Sequence, residues 1–337
     1  MRRSYLPQAL LVSAIWGSSY MFIKVGIRDF SPAALVELRL LTAGAVLVPF
    51  VAARRGLPAL RPAVRPGAVV GVIGMAVPFL LISWGETHVD SGTAAVATSS
   101  VPIFVALLAL WFAPSERTGG LRMVGLVVGL AGVGVVAGVH PHGGWWAVAG
   151  ALAVVLASLF YAMSSLYTQR RLGVGALELA TASVLAGAVV MLPFALARLP
   201  HSVGWKSLAS VVVLGAVGTG FAQLIVNRLI GTHGPARTML INYLIPGFAL
   251  LYGAVILGEP VTGAKLVGLA LILVGVTLAS GVLVWKRDRP GSSRNGEPDQ
   301  ERAAAAARSS SSWRSSIRRI FPVSVFGRSG TNSIRRG

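Results

Sequence analysis

Arg39 stands inside an apolar run, with Val36 and Leu38 before it and Leu40 and Leu41 after it. On membrane-insertion scales an ionisable side chain there costs ~2.5–3.5 kcal/mol, so its presence needs a physical reason. Lining a cavity, Arg39 would attract a carboxylate or set the local potential. Otherwise it would bond backbone carbonyls or snorkel toward a surface. Glu37 is two residues away, about 200° around a helix, so the two cannot share a face. Lys24 is the better partner for Glu37. A second group, Glu86, His88 and Asp90, lies between two apolar runs. Glu86 or His88 would suit a coupling proton, because burial favours the neutral carboxyl and imidazole titrates near neutrality. An exposed polar loop explains the three more cheaply.

Uncharged polar and aromatic residues interrupt other apolar runs: Trp16, Ser18, Ser19 and Tyr20; Ser158, Tyr161, Ser164 and Ser165; Thr219, Gln223 and Asn227; Asn242 and Tyr243. Amides and hydroxyls donate and accept, which suits a zwitterion or neutral solute that must bind and then leave. Singly, each could be glue between helices worth ~0.6 kcal/mol; together they favour a polar cavity. The expected substrate contacts are Trp16, Tyr20, Arg39, Tyr161, Gln223, Asn242 and Tyr243, with Glu86 and His88 as candidates for proton coupling. Glu116, Glu178 and Glu259 fall at helix starts, where a carboxylate stabilises free N–H groups. The chain has no Gly-Lys-Ser/Thr phosphate loop, His-Glu-x-x-His or Gly-x-Ser-x-Gly motif. With no cysteine there is no disulfide or thiolate site. No cofactor, metal or catalytic residue is therefore expected, and without an ATP site a self-powered pump is disfavoured.

The elements that must hold these groups are membrane helices. The 337 residues are 54% hydrophobic and only 12% charged, too little polar surface for a water-soluble globule. A bilayer core of ~30 Å asks for about 20 apolar residues per helix. Such runs lie at 6–27, 32–53, 66–86, 91–113, 121–139, 145–168, 175–197, 206–227, 235–257 and 262–285. The first is too long for a secretory leader and is followed at once by another span.

These runs form one unit written twice. Arg122-Met-Val-Gly-Leu126 recurs as Lys265-Leu-Val-Gly-Leu269, Glu116 as Glu259, and Ala43-Gly-Ala-Val46 as Ala186-Gly-Ala-Val189. With five spans per unit, the second enters the membrane inverted. Inverted repeats characterise secondary carriers, in which two like halves exchange inward- and outward-open shapes around a shared site. The expected fold is thus all-α, an integral membrane protein of ten transmembrane helices as two inverted five-helix repeats, 1–139 and 145–285. Pro102 and Pro246, at like places in the fourth and ninth spans, would bend them and open central space. Glycines at four-residue spacing (Gly67/Gly71, Gly125/Gly129, Gly134/Gly138) permit close helix contact, between halves or in a homodimer.

The net charge of +19 would suit nucleic acid, but its distribution argues against that. Beyond Trp285 the tail carries twelve Lys/Arg against four Asp/Glu, and most other basic residues occupy joints of one side, among them Arg54, Arg55, Arg61, Arg117, Arg170 and Arg171. The positive-inside bias makes that side cytoplasmic and puts both termini there. Residues 286–337, rich in Arg, Ser, Gly, Pro and Ala, read as a disordered basic tail, and its segment from Trp313 to Phe321 could rest on anionic lipid.

Trp16-Gly-Ser-Ser-Tyr-Met-Phe-Ile-Lys24, Glu37-Leu-Arg39, Pro102-Ile-Phe-Val-Ala-Leu-Leu, Gly234-Pro-Ala-Arg-Thr238 with Pro246, and Leu257-Gly-Glu-Pro-Val-Thr262 together resemble the EamA-type carriers of the drug/metabolite transporter superfamily. The resemblance covers about residues 6–285. It implies a ten-helix carrier of the bacterial inner membrane that exports amino acids or other small metabolites. One departure is Ala113-Pro-Ser-Glu116, where the pattern has Leu-Gly-Glu. An uptake carrier for a sugar, or a membrane sensor or scaffold, would carry much the same sequence features.

Overall fold

The structure is a computed structural model and describes residues 5–112, 120–138, 144–169, 173–233, 238 and 241–279. The described residues hold helices and turns and no strand. The first half comprises α1 (Tyr5–Gly26), α2 (Pro32–Arg55), α3 (Val64–Gly71), α4 (Val77–Gly85), α5 (Ser91–Thr98), α6 (Val101–Phe112) and α7 (Gly120–Gly138). The second comprises α8 (Gly144–Gln169), α9 (Ala176–Leu196), α10 (Trp205–Val213), α11 (Ala222–His233), α12 (Ile241–Leu257) and α13 (Gly263–Ala279). A 3₁₀ segment, Leu57–Ala63, leads into α3. Two π-helical turns, Val72–Ala76 and Leu214–Phe221, join α3 to α4 and α10 to α11 without a break in the run.

Among the described residues, seven runs are long and apolar enough to cross a bilayer: Tyr5–Gly26, Pro32–Arg55, Leu57–Gly85, Ser91–Leu108, Gly144–Gln169, Ala176–Leu196 and Trp205–His233. Met123–Val136, Ile241–Leu257 and Gly263–Leu278 are shorter apolar helices. Local chemistry sets several ends. Ser31 caps α2 by accepting the Ala34 N–H at 3.3 Å, with Pro32 in the first turn. Gly56 stops α2 in a left-handed conformation, φ +75°, that side chains disfavour.

Three boundaries differ from the sequence expectation. The third run begins at Leu57 rather than 66, because the Leu-Pro-Ala-Leu-Arg-Pro-Ala segment winds as 3₁₀ helix. The eighth continues to His233, past the polar Asn227 and Arg228. The fourth is interrupted at Ser99–Ser100, where the two hydroxyls turn back onto the carbonyls of Ala95 and Ala97 at 3.1 and 2.7 Å. Pro102 removes a donor there, and the Ser158 hydroxyl reaches the carbonyls of Ala97 and Thr98 at 3.4 and 3.5 Å. Pro246, by contrast, sits within a continuous α12.

The packing pairs map onto themselves when the two halves are exchanged. α1 lies against α12, and α8 against α5 and α6; the first π turn lies against α9, the second against α2; α4 lies against α8, and α11 against α1. α2–α9 and α7–α13 pair an element with its own counterpart. Atomic detail follows the same rule. Ser13 donates to the Ile241 carbonyl at 3.3 Å, and Ser158, its counterpart on α8, to the Ala97 carbonyl at 3.4 Å. A Cβ on Gly71 would meet the Ser183 carbonyl of α9 at 2.6 Å, while one on Gly215 would overlap the Arg39 carbonyl of α2. α7 and α13 cross through glycine as well: a Cβ on Gly275 would overlap the backbone of Gly129. Gly125/Gly129 thus join the halves, whereas a Cβ on Gly134 would meet nothing within 4 Å among the described residues. One core cluster runs through both halves, and a smaller one gathers Ala9, Val12, Val226, Leu229 and Ile241.

Candidate functional site

The second π turn exposes groups that a regular helix would tie up. Its Gly218 carbonyl accepts the Trp16 indole N–H at 3.0 Å, and its Thr219 hydroxyl accepts Arg39 Nε at 3.0 Å. Thr219 in turn donates to the Leu214 carbonyl at 3.4 Å. Arg39 is 7% exposed, and its guanidinium carbon lies 3.6 Å from the centre of the Phe79 ring on α4. A desolvated cation over an aromatic face is worth about 2 kcal/mol. That offsets a good part of the cost of placing the charge inside a span. Among the described residues no carboxylate comes within ion-pair distance of Arg39.

Two tyrosines complete the group. Tyr161 on α8 meets Phe79 edge-on, ring centres 6.5 Å apart at 67°. Tyr20 on α1 is buried, hydrogen-bonds the Thr98 side chain at the break in the fourth run, and interacts electrostatically with Arg39 and Tyr161. Tyr161 lies deep in the bundle yet keeps partial exposure. Side chains from α1, α2, α4, α8 and the second π turn therefore surround one cation with rings and hydroxyls. Such a site can take an anionic group on the guanidinium and an apolar or amide portion against the rings.

Of the seven expected substrate contacts, the structure brings Tyr20, Arg39 and Tyr161 into one group, with Arg39 and Tyr161 on the Phe79 ring. Trp16 joins them through the π turn. Gln223 is half-buried further along that run and donates to Asn227 at 3.3 Å. Tyr243 packs against the main core, and Asn242 is exposed at the start of α12. Phe79 and Thr98 carried no signal in sequence: one is an apolar residue in an apolar run, and the other is one of several hydroxyls. Thr219 was visible as a polar residue in a span, but not as the partner of Arg39.

The joint between α4 and α5 differs from a polar surface loop. Glu86 is fully buried, and among the described residues neither of its carboxylate oxygens has a hydrogen-bond donor. Burial pushes its carboxyl well above the usual carboxylate range, against the opposing pull of Lys24. His88 is half-buried, its ring 4.6 Å from that of Trp84 and stacked on Trp146 at 5.5 Å. Lys24 does not pair with Glu37. Its ammonium donates to the carbonyls of Glu86 and Val89 at 2.6 and 2.8 Å.

Glu259 does cap a helix, but not its own. It accepts the Ser91 N–H at 3.0 Å, the Ser91 hydroxyl at 2.7 Å and the Gly92 N–H at 3.2 Å, holding the start of α5 in the other half. Beside it, Lys265 bridges to Asp90 at 2.7 Å. Glu178 sits in the first turn of α9, as its carboxylate would favour, 3.4 Å from Arg55. Glu116 and the basic tail lie outside the described residues.

A family model described as the EamA-like transporter family matches residues 4–138 and again residues 148–281. The chain belongs to the EamA-like transporter family. It is a multi-pass membrane transporter, and the sequence resemblance noted above holds across both halves. Among relatives of this EamA-like chain, "Uncharacterized inner membrane transporter YedA" of Escherichia coli (strain K12) is 30% identical over 275 residues, covering 79% of this chain and 87% of the relative. "Probable terminal-alkyne amino-acid exporter" of Streptantibioticus cattleyicolor is 30% identical over 296 residues, covering 85% and 97%. "Probable amino-acid metabolite efflux pump" of Escherichia coli (strain K12) is 25% identical over 291 residues, covering 83% and 95%. A solved structure titled "Crystal structure of protein" matches with a TM-score of 0.59 at 23% identity, over 85% of this chain and all of that one, a likeness of fold.

Proposed function

We propose that this EamA-like transporter exports small amino acids or related metabolites by alternating access, with Arg39 as the anchor for the substrate carboxylate. One observation carries the reading. A buried guanidinium stacked on Phe79 and tied through Nε to Thr219 has no carboxylate partner among the described residues. A substrate that brings one supplies the missing charge, and a charge-assisted pair in a dry site is the strong kind of hydrogen bond. Tyr20, Tyr161 and Trp16 then line the approach, while Gln223, Asn242 and Tyr243 contact other parts of the solute or its path. The names borne by the Streptantibioticus and Escherichia coli relatives, amino-acid exporter and amino-acid metabolite efflux pump, agree with this chemistry. The chain would lie in the bacterial inner membrane as ten spans, residues 1–139 and 145–285 forming inverted five-helix repeats, with both termini cytoplasmic.

The test is flux of labelled amino acids through proteoliposomes holding the full chain. Transport should be competed by unlabelled amino acids and not by the matching amines that lack the carboxylate. Equal competition by the amines would remove Arg39 from its assigned role. Absence of flux across a broad metabolite panel would remove the transporter reading from this chain.

A further inference from the structure

Glu86 follows directly on the third run, at the joint to α5, and has no exposed surface. Among the described residues, neither carboxylate oxygen has a donor. A buried ionised carboxylate in that state is costly by several kcal/mol, and the protonated acid costs much less. Lys24 of α1 is adjacent, yet its ammonium is committed to two backbone carbonyls, Glu86's own and that of Val89.

The other charged groups that act on Glu86 are each already engaged. Arg39 of α2 is held by Thr219 and Phe79. On the same joint, Asp90 is neutralised by Lys265. Glu259, from the joint ahead of α13, is satisfied by Ser91 and Gly92. His88 lies between Trp84 and Trp146, stacked on the latter, with Nδ1 2.7 Å from the Thr87 hydroxyl. The Tyr20 hydroxyl of α1 is paired with Thr98. α8, which packs on α4, carries no charged residue. Glu86 alone in this group is buried, titratable and without a partner, and it stands beside an ammonium that could turn to it.

Resting on the transporter reading above, we propose that Glu86 is a proton-binding site of the transport cycle and that Lys24 is its alternative counter-charge. With the proton on a carboxyl oxygen, the joint is as seen here, Lys24 bridging the carbonyls of Glu86 and Val89. When the proton leaves to solvent, the carboxylate draws the ammonium into an ion pair and the two carbonyls lose their donor. The joint between α4 and α5 loosens at the place where Glu259 and Lys265 of the other half grip α5. Proton release is thereby tied to parting of the halves at this end.

The experiment pairs infrared difference spectroscopy of the lipid-reconstituted full chain with amino-acid flux in acidic and alkaline external buffer. The wild type should show a protonated-carboxyl band that Glu86→Gln removes and His88→Gln keeps. Flux should change severalfold with external pH in the wild type and in His88→Gln, and stay flat in Glu86→Gln. A band unchanged in Glu86→Gln overturns the proposal, as does a wild-type pH response in that variant or loss of the response in His88→Gln. If Glu86→Gln fails to fold, Glu86→Asp decides instead: the band must shift with the shortened side chain, and an unshifted band overturns the assignment. Absence of wild-type flux would sink the transporter reading alone, since the band still reports whether Glu86 holds a proton.

Discussion

At the scale of single residues, Arg39 joins the greatest cost to the clearest test. Arg39→Gln leaves an amide that can neither pair with a carboxylate nor stack as a cation on Phe79. Flux should fall at least about tenfold, ~1.4 kcal/mol, at unchanged expression; wild-type flux would remove the anchor. Arg39→Lys keeps the charge as a point without the planar fork, so its flux should lie between the two. Glu86 gives a prediction about stability. Its carboxyl is raised by burial, so its contribution is fully present below the ordinary glutamate range and is lost as pH rises through the folded value. Thermal melting in detergent should therefore weaken over that upward window in the wild type and less so in Glu86→Gln. Equal slopes would show that Glu86 titrates as an ordinary surface carboxylate. Arg39, Tyr20 and Tyr161 were legible in sequence because each is polar where the run around it is not. Phe79 and the free Glu86 carboxyl were not: a stacking ring looks like any core residue, and the burial of a joint residue depends on which helices close over it.

At the scale of elements, the site depends on how near α2 comes to the second π turn. Gly215 faces the Arg39 carbonyl and the Thr42 hydroxyl with no room for a methyl. A Cβ added at Gly231, later in the same run, would meet nothing within 4 Å among the described residues. The same change, glycine to alanine, should therefore act oppositely at the two places. Gly215→Ala should destabilise by ~1–3 kcal/mol through overpacking and shift Thr219 away from Arg39. Gly231→Ala should be neutral or slightly stabilising, since alanine favours helix. Melting temperatures in detergent and flux decide between them. A Gly215→Ala protein as stable and active as wild type would mean that α2 and the π turn are not held this close. Helix existence was readable from length and apolarity in all ten runs. The π turns were not, because nothing in Leu-Gly-Ala-Val-Gly-Thr-Gly-Phe distinguishes one from α-helix before its neighbours are in place. The break at Ser99–Ser100 was half readable: Pro102 announced a disturbance, while the serines that close it became partners only with α8 alongside.

At the scale of the whole molecule, the duplication reaches atomic detail. Ser13 on α1 and Ser158 on α8 make corresponding bonds to the carbonyls of Ile241 and Ala97. Gly74 approaches Ser164 as Gly218 approaches Ser19. Helix pairs that map onto one another when the halves are exchanged call for a two-fold relation between the halves. Each half contributes five runs, an odd number, so corresponding runs point in opposite directions if each crosses the membrane once. That has a consequence visible without any substrate. Reporters inserted in the joint ahead of α7, near Glu116, and in the joint ahead of α13, near Glu259, should fall on opposite faces of the membrane. The cytoplasmic label belongs to the first, where the arginines of the even joints gather. Both reporters on one face would mean that a half crosses an even number of times. The two-fold relation would then run along the membrane normal, and exchange of like halves could no longer convert an inward-open chamber into an outward-open one.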